Sequence, residues 1–414
     1  MYESNASLSL IRSLSNRSFA LLWTGQTFSR VGDFMYQVAL AWWVLDKTGS
    51  AAKMATVLVF SFAPMILFLL IGGVTVDRFP RLQVMLASDL LRGAIVMLVA
   101  TLAFVDQLEL WQIYIMSLLF GLVDAFFQPA FAAAVPEFVA EKDLPSANSL
   151  TSLSIQAGRI AGPMLGALLV GLGGAPFALA INGITFFVAA ALLVPLLSRQ
   201  NPAARHSREE ADVNSIMADL REGIGIVASS PWLWISIAVF AMSNVALGGP
   251  YSVTLPFLVK DQLGAEVGTL GLLHAVFAAG YILGGIWLGR KARIRRRGPI
   301  VYGGLAIAGI MLFAFGLPVP IAFLLLAALI NGAALEVGSL AWINSLQELV
   351  PQDKLGRVSS MDSLGSFALL PIGYGITGWA TELLGPSLVF VLGGGITAVV
   401  ALLALRHPAI RALD

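Results

Sequence analysis

The chain has 414 residues, of which 58% are hydrophobic and only 12% are charged, and its formal net charge is +1. Soluble domains carry about 25% charged residues, so this composition excludes a water-soluble globular protein. The chain contains no cysteine, which excludes disulfides, thiolate metal sites and cysteine nucleophiles. The composition therefore predicts an all-α polytopic membrane protein.

Apolar segments of about 20 residues recur along the sequence, and each is long enough to cross a bilayer as a helix. The first is too long to be the apolar region of a cleaved signal peptide. Breaks such as GLGGAP (171–176) separate neighbouring segments. We predict twelve transmembrane helices. They cover residues 19–45, 53–76, 83–105, 111–134, 148–172, 176–197, 231–258, 266–289, 299–317, 319–343, 357–384 and 386–405.

The distribution of Lys and Arg predicts the orientation of these spans. If the N-terminus is cytoplasmic, nineteen of the 25 basic residues lie in inner segments and only Lys47, Lys53 and Lys260 lie in outer loops. Inner loops of membrane proteins are enriched in Lys and Arg. We therefore expect a multi-pass plasma (inner) membrane protein with both termini in the cytoplasm.

The longest polar stretch, residues 198–230, divides the spans into two sets of six. It contains ADVNSIMADLREGIGIV (211–227), whose apolar residues recur at helical spacing. This pattern predicts an amphipathic helix on the inner membrane face. We expect an N-terminal half (1–197), a cytoplasmic linker (198–230) and a C-terminal half (231–414).

The two halves share short sequence repeats. GGVTVDR (72–78) matches GGIWLGR (284–290) at an offset of 212, and VAEKDLPSANSL (139–150) matches VPQDKLGRVSSM (350–361) at an offset of 211. Two matches at nearly the same offset indicate a parallel duplication. Transporters built from such repeats bind substrate between the halves near the bilayer midplane.

The first span carries two charges in a segment otherwise suited to lipid, Arg30 and Asp33. An intramembrane charge costs about 3 kcal/mol unless it is paired or faces a water-filled cavity. The two residues are one turn apart and can pair, but a carboxylate in such a place can also carry a proton. Both interpretations stay open. For Asp89 and Arg92, which have the same spacing, we expect a structural pair.

Two motifs identify a family. GGVTVDRFPR (72–81) resembles the loop signature of the major facilitator superfamily, and GRIAGPMLG (158–166) resembles the fifth-helix motif of its exporters. VGDFMYQVALAWWVLDKTGSA (31–51) and GLVDAFFQPAFAAAVPEFV (121–139) are similar to the subgroup of macrolide-type drug exporters and a siderophore exporter. The resemblance implies a major facilitator fold of twelve helices in two pseudo-symmetric halves.

The resemblance also implies roles for residues in these motifs. The loop motif would act as a conformational latch through Gly73, Asp77, Arg78 and Arg81. The exporter motif would provide a small-residue packing face and a bend through Gly158, Gly162, Pro163 and Gly166. Two departures are Pro80, where the family usually has Gly, and Ser117, where many family drug exporters have Arg.

Spans one, four, seven and ten line the central cavity in this family, and all the candidate site residues except Arg159 of span five come from them. Candidates for proton coupling are Asp33, Asp124, Arg30, Arg159 and Glu336. Asp124 has no Arg within a turn of its own helix, and Arg159 is one possible counter-ion. Candidates for substrate binding are Phe34, Gln37, Phe127, Gln128, Asn244, Tyr251 and Asn331.

Other classes of protein lack their expected motifs. The sequence has no G-x-x-x-x-G-K-[S/T] loop, G-x-S-x-G elbow or H-E-x-x-H pair, so an ATP motor or an integral-membrane enzyme is not expected. The basic run RKARIRRR (290–297) is an orientation signal, and no nucleic acid partner, metal or cofactor other than the proton gradient is expected.

We therefore predict a monomeric exporter in the lipid bilayer that moves amphipathic small molecules, such as macrolide-like drugs, by proton antiport with alternating access. The alternative is an exporter of one physiological compound, for instance a siderophore or a lipid. An uptake symporter would share the fold, but the exporter motif argues against it.

Overall fold

In a computed structural model the described residues, which are 12–198, 213–290 and 295–413, are arranged almost entirely in helices. Within these ranges the side chains of 69–78, 141, 213–220 and 352–353 are not described. The chain divides into two compact units. One unit comprises 1–47 and 57–207, and the other comprises 48–56 and 208–414.

The first unit contains six long helices. They are α1 (Arg17–Thr48), α2 (Ala51–Arg78), α3 (Arg81–Phe104), α4 (Leu110–Phe138) and two helices within Leu144–Leu197, which we call α5 (144–173) and α6 (175–197). The break between α5 and α6 is the single residue Gly174, whose φ of 76° and ψ of 173° lie outside the helical region. Only glycine adopts this conformation readily, so the predicted loop GLGGAP is reduced to a one-residue turn.

The second unit contains the remaining helices. They are α7 (Val213–Ser229), α8 (Pro231–Gly249), α9 (Val267–Gly289), α10 (Arg297–Phe315), α11 (Ile321–Leu349), α12 (Gln352–Phe367), α13 (Leu370–Leu384), α14 (Pro386–Ala404) and α15 (Pro408–Arg411). The end of α8 continues through two π-helical turns, Pro250–Thr254 and Leu258–Gln262. The helix α7 occurs where the amphipathic helix was predicted.

The prediction of one continuous helix over 357–384 is wrong, because the structure divides it between α12 and α13. Pro371 lies in the first turn of α13. Proline has no backbone N–H and is tolerated at this position, whereas in a helix interior it would remove a hydrogen bond.

The first turn of α2 belongs to the second unit, while the rest of α2 belongs to the first. The carboxylate of Glu382, on α13, accepts hydrogen bonds from the Ser50 hydroxyl and from the Ala52 backbone N–H, the latter at 3.2 Å. A carboxylate at this end of a helix satisfies backbone donors that have no partner within the helix.

In the described part of the chain, nine helices are long and apolar enough to cross a membrane. One of them, Leu144–Leu197, contains both α5 and α6. Two further crossings are α1, which is rich in polar residues, and the broken pair α12–α13. Together with the nine helices, one of which counts twice, they account for the twelve predicted spans. Large apolar side chains on the outer faces are exposed, with Leu67 and Leu172 both at 72%, as lipid-facing surfaces require.

Candidate functional site

Arg30 and Asp33 in the middle of α1, both of which the structure describes, do not form the ion pair that their spacing permits. Arg30 Nε and Asp33 Oδ1 are instead both buried without a hydrogen-bond partner among the described residues. The Arg30 guanidinium lies 5.0 Å from the centre of the Phe131 ring on α4. Both residues therefore retain unused hydrogen-bonding capacity inside the first unit.

A buried ion-pair network joins α3 to α4. A guanidinium nitrogen of Arg92 lies 2.6 Å from Asp89 Oδ1, and a second lies 3.3 Å from Asp124 Oδ1. Gln26 of α1 donates to the other oxygen of Asp89 at 3.0 Å, and Gln128 donates to Asp124 at 3.3 Å. Asp89 and Arg92 are essentially inaccessible, whereas the Asp124 side chain is 17% exposed. Asp124 is therefore the accessible end of the network.

Aromatic rings stabilise the Arg92 guanidinium, whose central carbon lies near three of them. The distances to the ring centres are 3.9 Å for Phe127, 4.7 Å for Phe186 and 6.0 Å for Phe120. A cation over a ring face is attracted by the quadrupole of the ring, and more strongly when desolvated. Arg92 is thus held by two carboxylates and three rings, in a setting where an isolated charge would be costly.

Counting charges in this region gives an excess of carboxylates. The charges of Arg92, Asp124, Arg30 and Asp89 all act on Asp33. Three carboxylates, Asp33, Asp89 and Asp124, therefore share one environment with two guanidiniums. Fully ionised, the cluster would carry a net charge of −1, and binding one proton would neutralise it.

The sequence pointed to only part of this arrangement. Asp124 pairs with Arg92 of α3, a contact between two helices that spacing along one helix cannot reveal. Arg159 lies on α5 within the exporter motif and is partly buried. Glu336 belongs to the second unit, where its carboxylate lies beside Gly285 of α9.

The small residues of the exporter motif pack α5 against the charged stretch of α1. A Cβ at Gly158 would lie 3.1 Å from the Phe34 ring, one at Gly162 would clash with Phe34, and one at Gly166 would lie 2.9 Å from the Met35 carbonyl. On α1 itself, a Cβ at Gly32 would clash with side chains of α6. The motif and Gly32 therefore allow α1 to approach both α5 and α6 closely. Pro163 is buried in α5 between Gly162 and Gly166.

The predicted substrate-binding residues of the first unit fall into two groups. Gln37 is exposed, and Phe34 is partly exposed beside the exporter motif. Phe127 is buried beneath Arg92, and Gln128 donates to Asp124, so both contact the ion-pair network.

In the second unit, two of the predicted residues join helices. Asn331 donates to the Ala308 carbonyl at 2.9 Å and is buried, while Asn244 donates to the Ser366 carbonyl at 2.9 Å. Tyr251 lies in the first π turn, with its ring 5.3 Å from His274 and 5.0 Å from Phe277. Its hydroxyl is buried and has no hydrogen-bond partner within the described ranges. Tyr251 therefore has an unused polar group.

The predicted latch is described only in part. Gly73, Asp77 and Arg78 lie in α2, but their side chains are outside the described residues. Arg81, in the first turn of α3, donates to the Ala133 carbonyl at 2.8 Å and pairs with Glu137 at 2.7 Å. This residue joins the start of α3 to the end of α4.

Sequence reasoning missed two polar residues that the structure brings into buried networks. Gln26 lies one turn before Arg30 and contacts Asp89. Asp362, on α12, accepts a hydrogen bond from the Trp342 indole at 3.0 Å, and its other oxygen is buried with no partner that the structure describes. Both are polar side chains within apolar spans, a signal that was available in the sequence. Among the described residues no group of His, Asp and Glu side chains could hold a metal ion.

Comparison with known proteins gives a family match and distant relatives. A family model described as Major Facilitator Superfamily matches residues 22–361 and 248–411. The chain is 25% identical over 402 residues to macrolide efflux protein A of Streptococcus pyogenes, covering 96% of this chain and 97% of the relative. It is 27% identical over 351 residues to the enterobactin exporter EntS of Salmonella typhimurium strain LT2, covering 80% and 81%.

Solved structures show the same fold. A bacterial homologue of the iron transporter ferroportin in an inward-facing state superposes with a TM-score of 0.74 at 17% identity, covering 94% of this chain and 99% of that one. A POT family transporter in complex with 5-aminolevulinic acid gives a TM-score of 0.74 at 12% identity, covering 94% and 96%. At these identities the likeness supports the fold alone.

Proposed function

Since this chain belongs to the Major Facilitator Superfamily, a family of secondary transporters and not of enzymes, we propose that it exports amphipathic small molecules by proton antiport. The expectation that the chain is not an enzyme is thereby confirmed. The coupling of export to protons rests on the cluster of ionisable side chains in the first unit, which comprises Asp33, Asp89, Asp124, Arg30 and Arg92.

The observation that carries the proposal is the excess of one carboxylate in that cluster. Asp89 is fixed by Arg92 and Gln26, and Asp124 is paired with Arg92. One oxygen of Asp33 is buried without a partner among the residues that the structure describes. Burying a carboxylate oxygen without a hydrogen-bond donor disfavours its charged form, so we assign the proton to Asp33. Movement of α1 relative to α3 and α4 would bring Asp33 towards a guanidinium, and the positive charge would favour release of the proton.

The direction and class of transport are supported by the exporter motif and by the relatives. Both named relatives are efflux proteins, one for macrolides and one for enterobactin. The basic residues of the loops favour cytoplasmic termini, and the motif of Gly73, Asp77, Arg78 and Arg81 would be the conformational latch on that side. Glu336 and Arg159 remain proposed contributors to proton coupling.

The experiment compares the parent chain with Asp33→Asn and Asp124→Asn in proteoliposomes carrying an imposed pH gradient. A fluorescent macrolide serves as the probe, and Asp106→Asn is the matched control because Asp106 lies in an exposed turn. We expect uphill transport by the parent and the control, and no gradient-driven transport by Asp33→Asn. Equal gradient-driven transport by all four proteins would contradict the site assignment.

A specific physiological cargo is the second candidate function, because the EntS relative is named for one siderophore. Deleting the gene in its host and measuring secreted siderophore or lipid by mass spectrometry distinguishes the two candidate functions. Loss of one secreted compound, with unchanged drug susceptibility, would favour the specific exporter.

A further inference from the structure

A carboxyl group of the second unit, that of Asp362 on α12, has no role in the proposed function. Its Oδ2 accepts a hydrogen bond from the Trp342 indole of α11 at 3.0 Å. Its Oδ1 is buried and has no hydrogen-bond partner among the described residues, and the same holds for the Ser366 hydroxyl, one turn further along α12. Asp362 therefore has one oxygen in use and a second one that is available for a proton.

The surroundings of Asp362 supply no counter-ion. Its helix packs against α7, α8 and α11. Besides Asp362, the charged side chains described on these four helices are Arg221, Glu222, Glu336, Glu348, Lys354 and Arg357. None of them acts on the carboxyl of Asp362, which is influenced by its burial, by Trp342 and by Ser366. An ionised Asp362 is therefore a partly buried charge without a cation among the described residues, and protonation removes this cost.

One further titratable group interacts with Asp362, but it already has a partner. The charge of Asp362 acts on Tyr302 of α10. The Tyr302 hydroxyl lies 2.6 Å from the hydroxyl of Ser236 on α8, and both residues are fully buried. Tyr302 is uncharged at neutral pH, so it cannot balance a negative charge on Asp362.

Aromatic packing holds the indole that contacts this carboxyl. The Trp342 ring is buried, and its centre lies 5.6 Å from that of Trp232 and 5.0 Å from that of Phe240, both on α8 and both edge-to-face. On α12, a Cβ at Gly365 would clash with a side chain of α8. Donor and acceptor are therefore both positioned by packing against α8, and the hydrogen bond between them joins α11 to α12.

The charge on Asp362 sets the strength of this connection. Hydrogen bonds to an ionised acceptor are about twice as strong as those between neutral groups. Protonation of Oδ1 turns the bond from the Trp342 indole into one of the weaker kind. The new O–H needs an acceptor, and the Ser366 hydroxyl, which acts on the same carboxyl, has lone pairs that can accept it.

We propose that Asp362, with Trp342 and Ser366, is a second proton-binding site, and that its protonation weakens the contact between α11 and α12. The Asp362 residue as a whole is partly exposed, which exchange of a proton requires. Resting on the proposed function, this gives the exporter a contact in the second unit that responds to protons, separate from the coupling group Asp33 in the first.

The test follows the Trp342 indole itself, with no cargo and no pH gradient. Protein containing isotope-labelled tryptophan is placed in phosphatidylcholine nanodiscs, and the indole N–H signals are recorded by NMR between about pH 5 and 9, a range in which exposed carboxylates stay ionised. The chain has nine Trp, and the signal missing from Trp342→Phe belongs to Trp342. The matched control is Asp261→Asn, because Asp261 is exposed in the same unit.

We expect the Trp342 signal to move with pH in the parent and in Asp261→Asn. It should stay fixed in Asp362→Asn, whose amide cannot ionise, and Ser366→Ala should change the midpoint of the movement because one hydrogen-bond partner of the carboxyl is lost. Asp33→Asn should titrate as the parent does. A fixed Trp342 signal in the parent, or the same movement in Asp362→Asn, would overturn the proposal. Should Asp362→Asn fail to fold, Ser366→Ala decides, and an unchanged midpoint counts against the site.

Failure of this inference and failure of the proposed function give different results. If the Trp342 signal titrates as expected but no pH gradient drives transport, proton antiport is wrong and the proton site stands. If a pH gradient drives transport while the Trp342 signal stays fixed, antiport stands and Asp362 binds no exchangeable proton.

Discussion

Arg92 of α3 reaches across to α4 and places a guanidinium nitrogen 3.3 Å from the carboxylate of Asp124. The same guanidinium holds the fully buried Asp89 at 2.6 Å. One cation thus connects a sealed carboxylate to a partly accessible one. A protonation change at the accessible end alters the charge balance of the sealed end, although the sealed carboxylate itself is closed to solvent.

Replacing Arg92 by Gln should destabilise the protein strongly. The change leaves two carboxylates in a buried site without their cation, and breaking a buried pair costs about 3–5 kcal/mol. We expect a clear fall in the apparent melting temperature of the purified protein, measured by its intrinsic fluorescence. Lys47→Gln is the control, because Lys47 pairs with Asp106 at the surface. Equal melting temperatures for the parent and Arg92→Gln would contradict the proposed contribution of the ion-pair network to stability.

Replacing Asp33 by Asn should uncouple transport from protons while leaving exchange intact. The amide keeps the shape of the side chain but cannot release a proton. We expect substrate counterflow near the parent rate and no accumulation driven by a pH gradient. Loss of both activities would instead indicate that Asp33 holds the fold or binds the cargo.

Adding one methyl group at Gly162 should separate α1 from α5. The new Cβ would clash with Phe34 and lie 2.9 Å from the Val31 carbonyl, and backbone cannot move away as a flexible side chain can. We expect Gly162→Ala to lower both export and thermal stability. Gly171→Ala, on the same helix, has nothing described within 4 Å of its added Cβ and should behave as the parent. If both variants match the parent in export and thermal stability, the close contact between α1 and α5 is not needed for either property.

Replacing Tyr251 by Phe should raise stability and lower substrate affinity. The hydroxyl is buried and unpartnered among the described residues, and an unsatisfied group of this kind costs about 1–3 kcal/mol. We expect a higher melting temperature without substrate and a larger Kd for the transported probe. A higher melting temperature with unchanged affinity would remove Tyr251 from the substrate site.

The surface pair of Lys47 and Asp106 should contribute little at physiological salt. The Lys47 ammonium donates to Asp106 at 2.6 Å and holds the pKa of that carboxyl below its usual range. Because the folded-state pKa is lowered, any stabilisation is present above the ordinary range for Asp and is lost as the pH falls through the lowered pKa. Both side chains are exposed, and salt screens exposed charges. We expect Asp106→Asn to leave the melting temperature unchanged at an ionic strength of about 0.15 M.

The fold was predictable because lipid imposes simple rules. Helices of about 20 apolar residues and breaks at glycine and proline located the spans, and two motifs named the family. The break after Phe367 was missed because Pro371 lies within an apolar segment that reads as continuous. The break at Gly174 was located to within a few residues.

The site was predictable only in part, because contacts between helices are not encoded in spacing along one helix. Arg30 and Asp33 look like a pair but do not form one, since nothing in an i, i+3 spacing fixes the two rotamers. Asp124 finds its cation on α3, and Gln26 links α1 to Asp89. Such partners follow from packing, which depends on the small residues that bring α1, α5 and α6 together.

The one-residue turn at Gly174 has a mechanical consequence. With no further loop residue between α5 and α6, and with α1 packed closely against both, we expect these three helices to move together in a conformational change. Asp33 and the exporter motif are then carried along together.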